Sequence, residues 1–141
     1  MESRSGLIVQ GDLTRPDGHA ERHAALDMIH LHSPGSARRL TMDTDKGYAA
    51  ARFIADLRKA YVTPHVAQKL RHSEIDACTT RHKGYALSIQ HRKRIEKAFG
   101  WMKTIGGMAQ TVYRGVEHER TRVILTLAAN YLARLPRVLA A

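Results

Sequence analysis

The sequence predicts an α/β fold. Short apolar runs of strand type alternate with longer stretches of helical periodicity, which is the pattern of helices packed on a sheet. The chain has 141 residues, a length that suits one domain, and 43% of them are hydrophobic, enough for a packed core.

Each element has its own signal. Gly6-Leu7-Ile8-Val9-Gln10 reads as a short opening strand. Arg15-Pro16-Asp17-Gly18 is a turn in which Asp17 can cap the next helix. That helix is expected over His19–His32, carrying Ala24, Ala25, Met28 and Ile29. Ser33-Pro34-Gly35-Ser36 breaks it. Arg39–Thr44 reads as a second strand ending at Asp45, with Lys46-Gly47-Tyr48 as the turn out of it. Ala49–Ala60 follows as a helix with Phe53, Ile54 and Leu57 on one face, and Val62–Val66 as a third strand whose Pro64 suggests an edge or an end. Residues 69–84 are polar and irregular and read as a mobile basic loop. A helix from Ala86 to about Ile105 stops at Gly106-Gly107. The last helix, Val116–Leu135, puts Ile124, Leu127, Ala128, Tyr131 and Leu135 on its apolar face, and Pro136 ends or kinks it.

Charge narrows the function. Lys and Arg number 23 against 13 Asp and Glu, a formal net charge of +10 spread along the whole chain. Such a balance favours a polyanion, most simply nucleic acid, over an acidic membrane surface. No apolar run approaches the roughly 20 residues that span a bilayer. Residues 1–6 lack the apolar segment of a secretory signal. Cys78 is the only cysteine, which excludes an internal disulfide and a cysteine-based zinc site and points to a reducing, cytoplasmic setting. No glycine-rich phosphate loop is present.

The acids suggest a site. Asp45 sits at the C-terminal end of a strand, where sites of open α/β sheets collect. Asp43, two residues earlier, shares its face and is a possible extra ligand. On the later helix, Glu96 stands among five basic residues, Arg92, Lys93, Arg94, Lys97 and Lys103. At about 100° per residue, Arg92 and Lys103 lie roughly 40° and 20° to the same side of Glu96. Ile95, Phe99 and Met102 form an adjacent apolar stripe. Two readings fit: an amphipathic helix with a surface ion pair, Arg92 to Glu96, or a metal-and-phosphate site in which Asp45 and Glu96 hold Mg²⁺ for phosphoryl transfer. The nine histidines add little. His19 and His23 have a metal-compatible spacing, and His30 and His32 follow, but no glutamate accompanies them, so they read as solvent-facing helix residues or weak phosphate contacts. Tyr48, Tyr85, Trp101 and Tyr113 are scattered and make no stacking platform.

Asp45-Lys46-Gly47-Tyr48 after a strand resembles the second-acid motif of bacterial insertion-sequence DDE transposases of the insertion-sequence-five group. Residues 79–86, Thr-Thr-Arg-His-Lys-Gly-Tyr-Ala, resemble the loop before that family's last catalytic helix. Arg92, Glu96 and Lys103 match the spacing of the Arg, Glu and Lys in its Tyr-Arg-Glu-Lys signature, and Phe99-Gly100-Trp101 and Arg134-Leu135-Pro136 also fit. The resemblance covers nearly the whole chain from Gly6 onward. It implies an RNase H-like fold, a mixed sheet flanked by helices and lacking its first strands, so that residues 1–141 form a single partial catalytic domain. It implies DNA strand cleavage and transfer with two Mg²⁺ or Mn²⁺ ions, Asp45 and Glu96 being the second and third acids. Arg92 and Lys103 would hold DNA phosphates, with Lys46, Lys93 and Arg94 as further DNA contacts. The partners implied are double-stranded DNA with terminal inverted repeats, and an upstream transposase segment or further copies of the chain.

Two positions depart from the family. The signature tyrosine falls on Ile89, and no residue among 1–12 replaces the first aspartate, Asp12 being misplaced after the first strand. The chain therefore reads as the C-terminal part of a truncated or split transposase. A non-catalytic DNA-binding or regulatory fragment is the alternative, and a decayed product the third reading.

Overall fold

The computed structural model describes all residues except 4, 33–38, 70, 72 and 141. The expected break over 33–36 lies outside the described residues. The elements run α1 (Ala20–His32), β1 (Leu40–Thr44), a 3₁₀ turn (Lys46–Tyr48), α2 (Ala51–Lys59), β2 (Val62–Val66), α3 (Ala77–Thr80), α4 (Lys83–His91), α5 (Lys93–Thr104) and α6 (Val116–Leu139). The fold is mixed α/β, as the alternation of patterns predicts. Contacts divide the chain into two units, residues 21–92 and residues 1–20 with 93–141.

In the strand unit, 21–92, β1 and β2 pair in parallel, with Leu40 opposite Val62 and Asp43 opposite His65. Parallel neighbours need a crossover, and α2 supplies it. Phe53 and Leu57 of α2 pack with Val62 and Ala25 in one cluster, and Ala49, Ile54, Val66 and Ile75 form a second. Leu57 and Val66 are fully buried. Asp17 caps α1 as expected, its carboxylate accepting from the His19 and Ala20 amides. Tyr61 takes a positive φ of 58°, a left-handed residue that turns the chain from α2 into β2. Pro64 sits in β2 without interrupting it. Inside the expected loop over 69–84 the chain makes a short helix, α3, which Asp76 caps through the Thr79 amide at 2.9 Å.

The helical unit, 1–20 with 93–141, differs from expectation in four ways. Residues 6–10 form no strand; the only sheet among the described residues is β1–β2. This stretch has no regular structure, and the surrounding backbone is held by arginines instead. Arg94 donates to the Ser3 carbonyl at 2.5 Å, Arg134 to Ser5 at 3.4 Å and Arg120 to Leu13 at 3.2 Å. Next, the helix expected from Ala86 to Ile105 is two helices separated by a turn at Arg92. Arg92 keeps helical dihedrals, φ −49° and ψ −36°, and no glycine or proline marks the junction; the four consecutive basic residues from His91 to Arg94 give the periodicity nothing apolar to hold.

Third, the buried stripe of α5 is Ala98 and Met102, while Ile95 and Phe99 are exposed. On α6 the buried residues are Glu119, Thr126 and Asn130, and Ile124 and Ala128 face outward. The reason lies at Gly106, where an added Cβ would stand 2.5 Å from Thr126 Cγ2 and 2.7 Å from the Met102 carbonyl. The close approach of the α5 end to α6 selects a small side chain, Thr126, in place of a large apolar one. Last, α6 continues through Pro136 to Leu139. Proline removes one N–H, but its carbonyl still accepts, here from Ala140 at 3.1 Å.

Candidate active site

Asp45 lies one residue past β1, in extended backbone (φ −77°, ψ 176°). Its Oδ1 accepts the Gly47 amide at 2.8 Å and so caps the 3₁₀ turn. The other oxygen has no part in that bond, and both Asp45 and Lys46 are exposed. The sequence Asp-Lys-Gly-Tyr thus builds its own turn: aspartate is the residue type that bonds backbone two positions on. The turn is also held from α1, where Arg22 Nη1 donates to the Gly47 carbonyl at 3.3 Å. Burial and the carboxylates of Glu21 and Asp45 push the Tyr48 phenol up.

Asp43 does not share the exposure of Asp45. The strand ends at Thr44, so the alternation that would place both acids on one face stops between them. The Asp43 side chain is nearly buried and stands 3.8 Å from His65 Nδ1 on the paired strand. The same Nδ1 lies 2.7 Å from Ser88 Oγ of α4, and Tyr85 meets the His65 ring edge-on with centroids 5.5 Å apart. Tyr85 also donates to the Val66 carbonyl at 2.9 Å. Burial lowers the His65 pKa, against the raising effect of Asp43 and with the help of His82. A serine, a histidine and an aspartate meet here, but both partners face one ring nitrogen. A nucleophilic relay needs them on opposite nitrogens, so this cluster is a tether of α4 to the sheet.

In the helical unit, Glu96 occupies the first turn of α5 and Lys103 the last. Both are exposed, and seven residues put them within roughly 20° of one line along the helix. Their places also suit the helix dipole, negative charge at the start and positive at the end. Lys93 is exposed, whereas Arg94 is half-buried and spends a guanidinium N–H on the Ser3 carbonyl. Arg92 belongs to the strand unit, and its Nε is buried without a hydrogen-bond partner among the described residues. The expected stripe therefore holds for Glu96 and Lys103 on α5, with Arg92 outside that helix.

The family model of the transposase DDE domain matches residues 1–132. The chain belongs to that family. No curated protein and no solved structure matches it. Membership makes this chain a member of a transposase family and gives its exposed acids a context. Among the described residues of this DDE domain, no group of three or more His, Cys, Asp and Glu comes together as a metal cage. Mg²⁺ does not require one, since it is held by one or two carboxylates with waters and substrate phosphates. Asp45 in the strand unit and Glu96 in the helical unit each carry exposed carboxylate oxygens, hard ligands of the kind that mode uses.

His19, His23, His30 and His32 are exposed, in line with the solvent-facing reading. Cys78 is a free, exposed thiol. Sequence reasoning missed Arg22, which reaches the Asp45 turn from 25 residues away. It also missed Trp101 and Tyr113, which line one shallow groove between α5 and α6. No local pattern signals either arrangement. No helix among the described residues is long and apolar enough to cross a membrane.

Proposed function

We propose that this chain acts in DNA strand cleavage and transfer during transposition of an insertion sequence of the insertion-sequence-five group. Asp45 and Glu96 are the second and third acids of an RNase H-like catalytic domain, of which residues 1–141 are a part. The observation that carries this reading is an exposed aspartate at the end of a parallel strand, in a chain of the DDE family. Two Mg²⁺ or Mn²⁺ ions held by these acids would activate the attacking oxygen and stabilise the leaving one. The chain's own residues do the rest. The Gly47 amide fixes one oxygen of Asp45 and leaves the other for the ion. Arg92 and Lys46 of the strand unit, and Lys93, Arg94 and Lys103 of the helical unit, contact backbone phosphates of DNA carrying the terminal inverted repeats.

The test is Mg²⁺-dependent cleavage of duplex DNA carrying terminal inverted repeats, by the chain alone and with a transposase segment that supplies the first acid. Cleavage is expected in at least one arm and is expected to vanish in Asp45→Asn and in Glu96→Gln. No cleavage in either arm sinks the catalytic reading. A second reading, DNA binding without cleavage, draws on the net charge of +10. It requires duplex affinity that Asp45→Asn leaves intact, with no cleavage in any arm.

A further inference from the structure

We infer that Arg22 of α1 is a positioning residue for the Asp45 carboxylate, acting through the Gly47 carbonyl; the inference rests on the reading of Asp45 as a metal ligand. Gly47 is held on both sides. Its N–H bonds Asp45 Oδ1 at 2.8 Å, and its carbonyl accepts from Arg22 Nη1 at 3.3 Å. The next residue, Tyr48, packs its ring on Phe53, with centroids 5.6 Å apart. Phe53 is buried in the cluster that also contains Ala25 of α1. Arg22 of α1 thus grips the turn at Gly47, and a shared core fixes the distance between the two elements.

The turn needs such support. It is a single 3₁₀ turn of three residues, an element with poor hydrogen-bond geometry and little stability of its own. If it opens, the Gly47 amide leaves Asp45 Oδ1 and the carboxylate is free to rotate. Residues that orient a metal ligand from behind commonly change metal affinity by ten- to a hundredfold when removed. The brace also gives the aromatic residue that closes the Asp-Lys-Gly-Tyr motif a role here: its ring anchors the turn in the core that α1 shares.

Arg22 separates positioning from simple electrostatics, because the two predict opposite signs. Removing a cation near a metal site strengthens cation binding by Coulomb's law. Removing a brace weakens it. The experiment titrates the full-length chain with Mn²⁺ alone, read by electron paramagnetic resonance, and follows Gly47 amide exchange by NMR without metal. Arg22→Ala is expected to weaken Mn²⁺ binding by about tenfold and to speed Gly47 exchange roughly fivefold, the worth of one hydrogen bond. Arg22 lies outside both core clusters, so the melting temperature of Arg22→Ala should stay near the wild-type value. Unchanged or tighter Mn²⁺ binding together with unchanged Gly47 exchange overturns the brace. If Asp45→Asn leaves Mn²⁺ affinity untouched, the metal reading of Asp45 falls instead, and Gly47 exchange alone then decides the brace.

Discussion

Glu119 accepts the backbone amides of Tyr113 and Val112 at 2.7 and 2.8 Å, while Arg122 stands 3.7 Å from its other oxygen. The Tyr113 amide is the main cause that holds its carboxyl below the usual range. A depressed carboxylate stabilises the fold fully above its unfolded pKa and loses that contribution as pH falls through the folded value. Thermal melts should therefore show the wild type losing stability below about pH 4.5, and Glu119→Gln should flatten that slope. His65 acts with the same sign for a different reason. Burial favours its neutral form, so its stabilisation is complete above the ordinary value of 6.5 and falls as pH drops below it. His65→Asn is expected to remove that second slope. Neither residue announces itself in the sequence: Glu119 depends on backbone amides of the loop just before its helix, and His65 on a Ser88 hydroxyl 23 residues away. The turn after Asp45 was legible for the opposite reason: Lys46-Gly47 follows directly, and the bond that closes it spans two residues.

The crossover of β1, α2 and β2 matched its pattern closely, with Phe53, Ile54 and Leu57 buried as their spacing predicts. Each of these elements has a strong period of its own and a polar or glycine-bearing boundary. Leu57→Ala should cost about 2–5 kcal/mol in chemical denaturation of the strand unit, since the side chain is fully buried. The α5 and α6 faces were misread because helical periodicity counts apolar residues and ignores how closely backbones approach. Gly106 permits an approach that Thr126 fits and a leucine would not. Gly106→Ala is accordingly expected to lower the melting temperature more than an ordinary glycine-to-alanine change at an open position such as Gly100, where a Cβ meets nothing within 4 Å. The split at Arg92 escaped notice because it carries none of the residue types that break helices.

Positive charge is shared by both units: the strand unit has 12 Lys and Arg against 7 acids, and the helical unit 11 against 6. Affinity for duplex DNA should therefore fall steeply with salt, whichever unit is engaged. Lys103→Ala should reduce the slope of log affinity against log salt by about one, read from fluorescence anisotropy at several ionic strengths; an unchanged slope removes Lys103 from the interface. Composition made this property readable before any fold was known, because charge adds up regardless of geometry. The division into two units was not readable in the same way, since residues 1–20 and 93–141 are distant in sequence and gather only through contacts such as Arg120 with Asp12 at 2.8 Å. That division has a kinetic side. The β1–α2–β2 crossover closes within 27 consecutive residues, from Leu40 to Val66, whereas the helical unit must join residues more than 100 positions apart, as Arg120 and Leu13 do. Local closure is fast and distant closure slow. During synthesis the crossover can collapse while α6 is still untranslated, and refolding should show its contacts early: Leu57 changes slow folding, while Thr126 changes chiefly hasten unfolding.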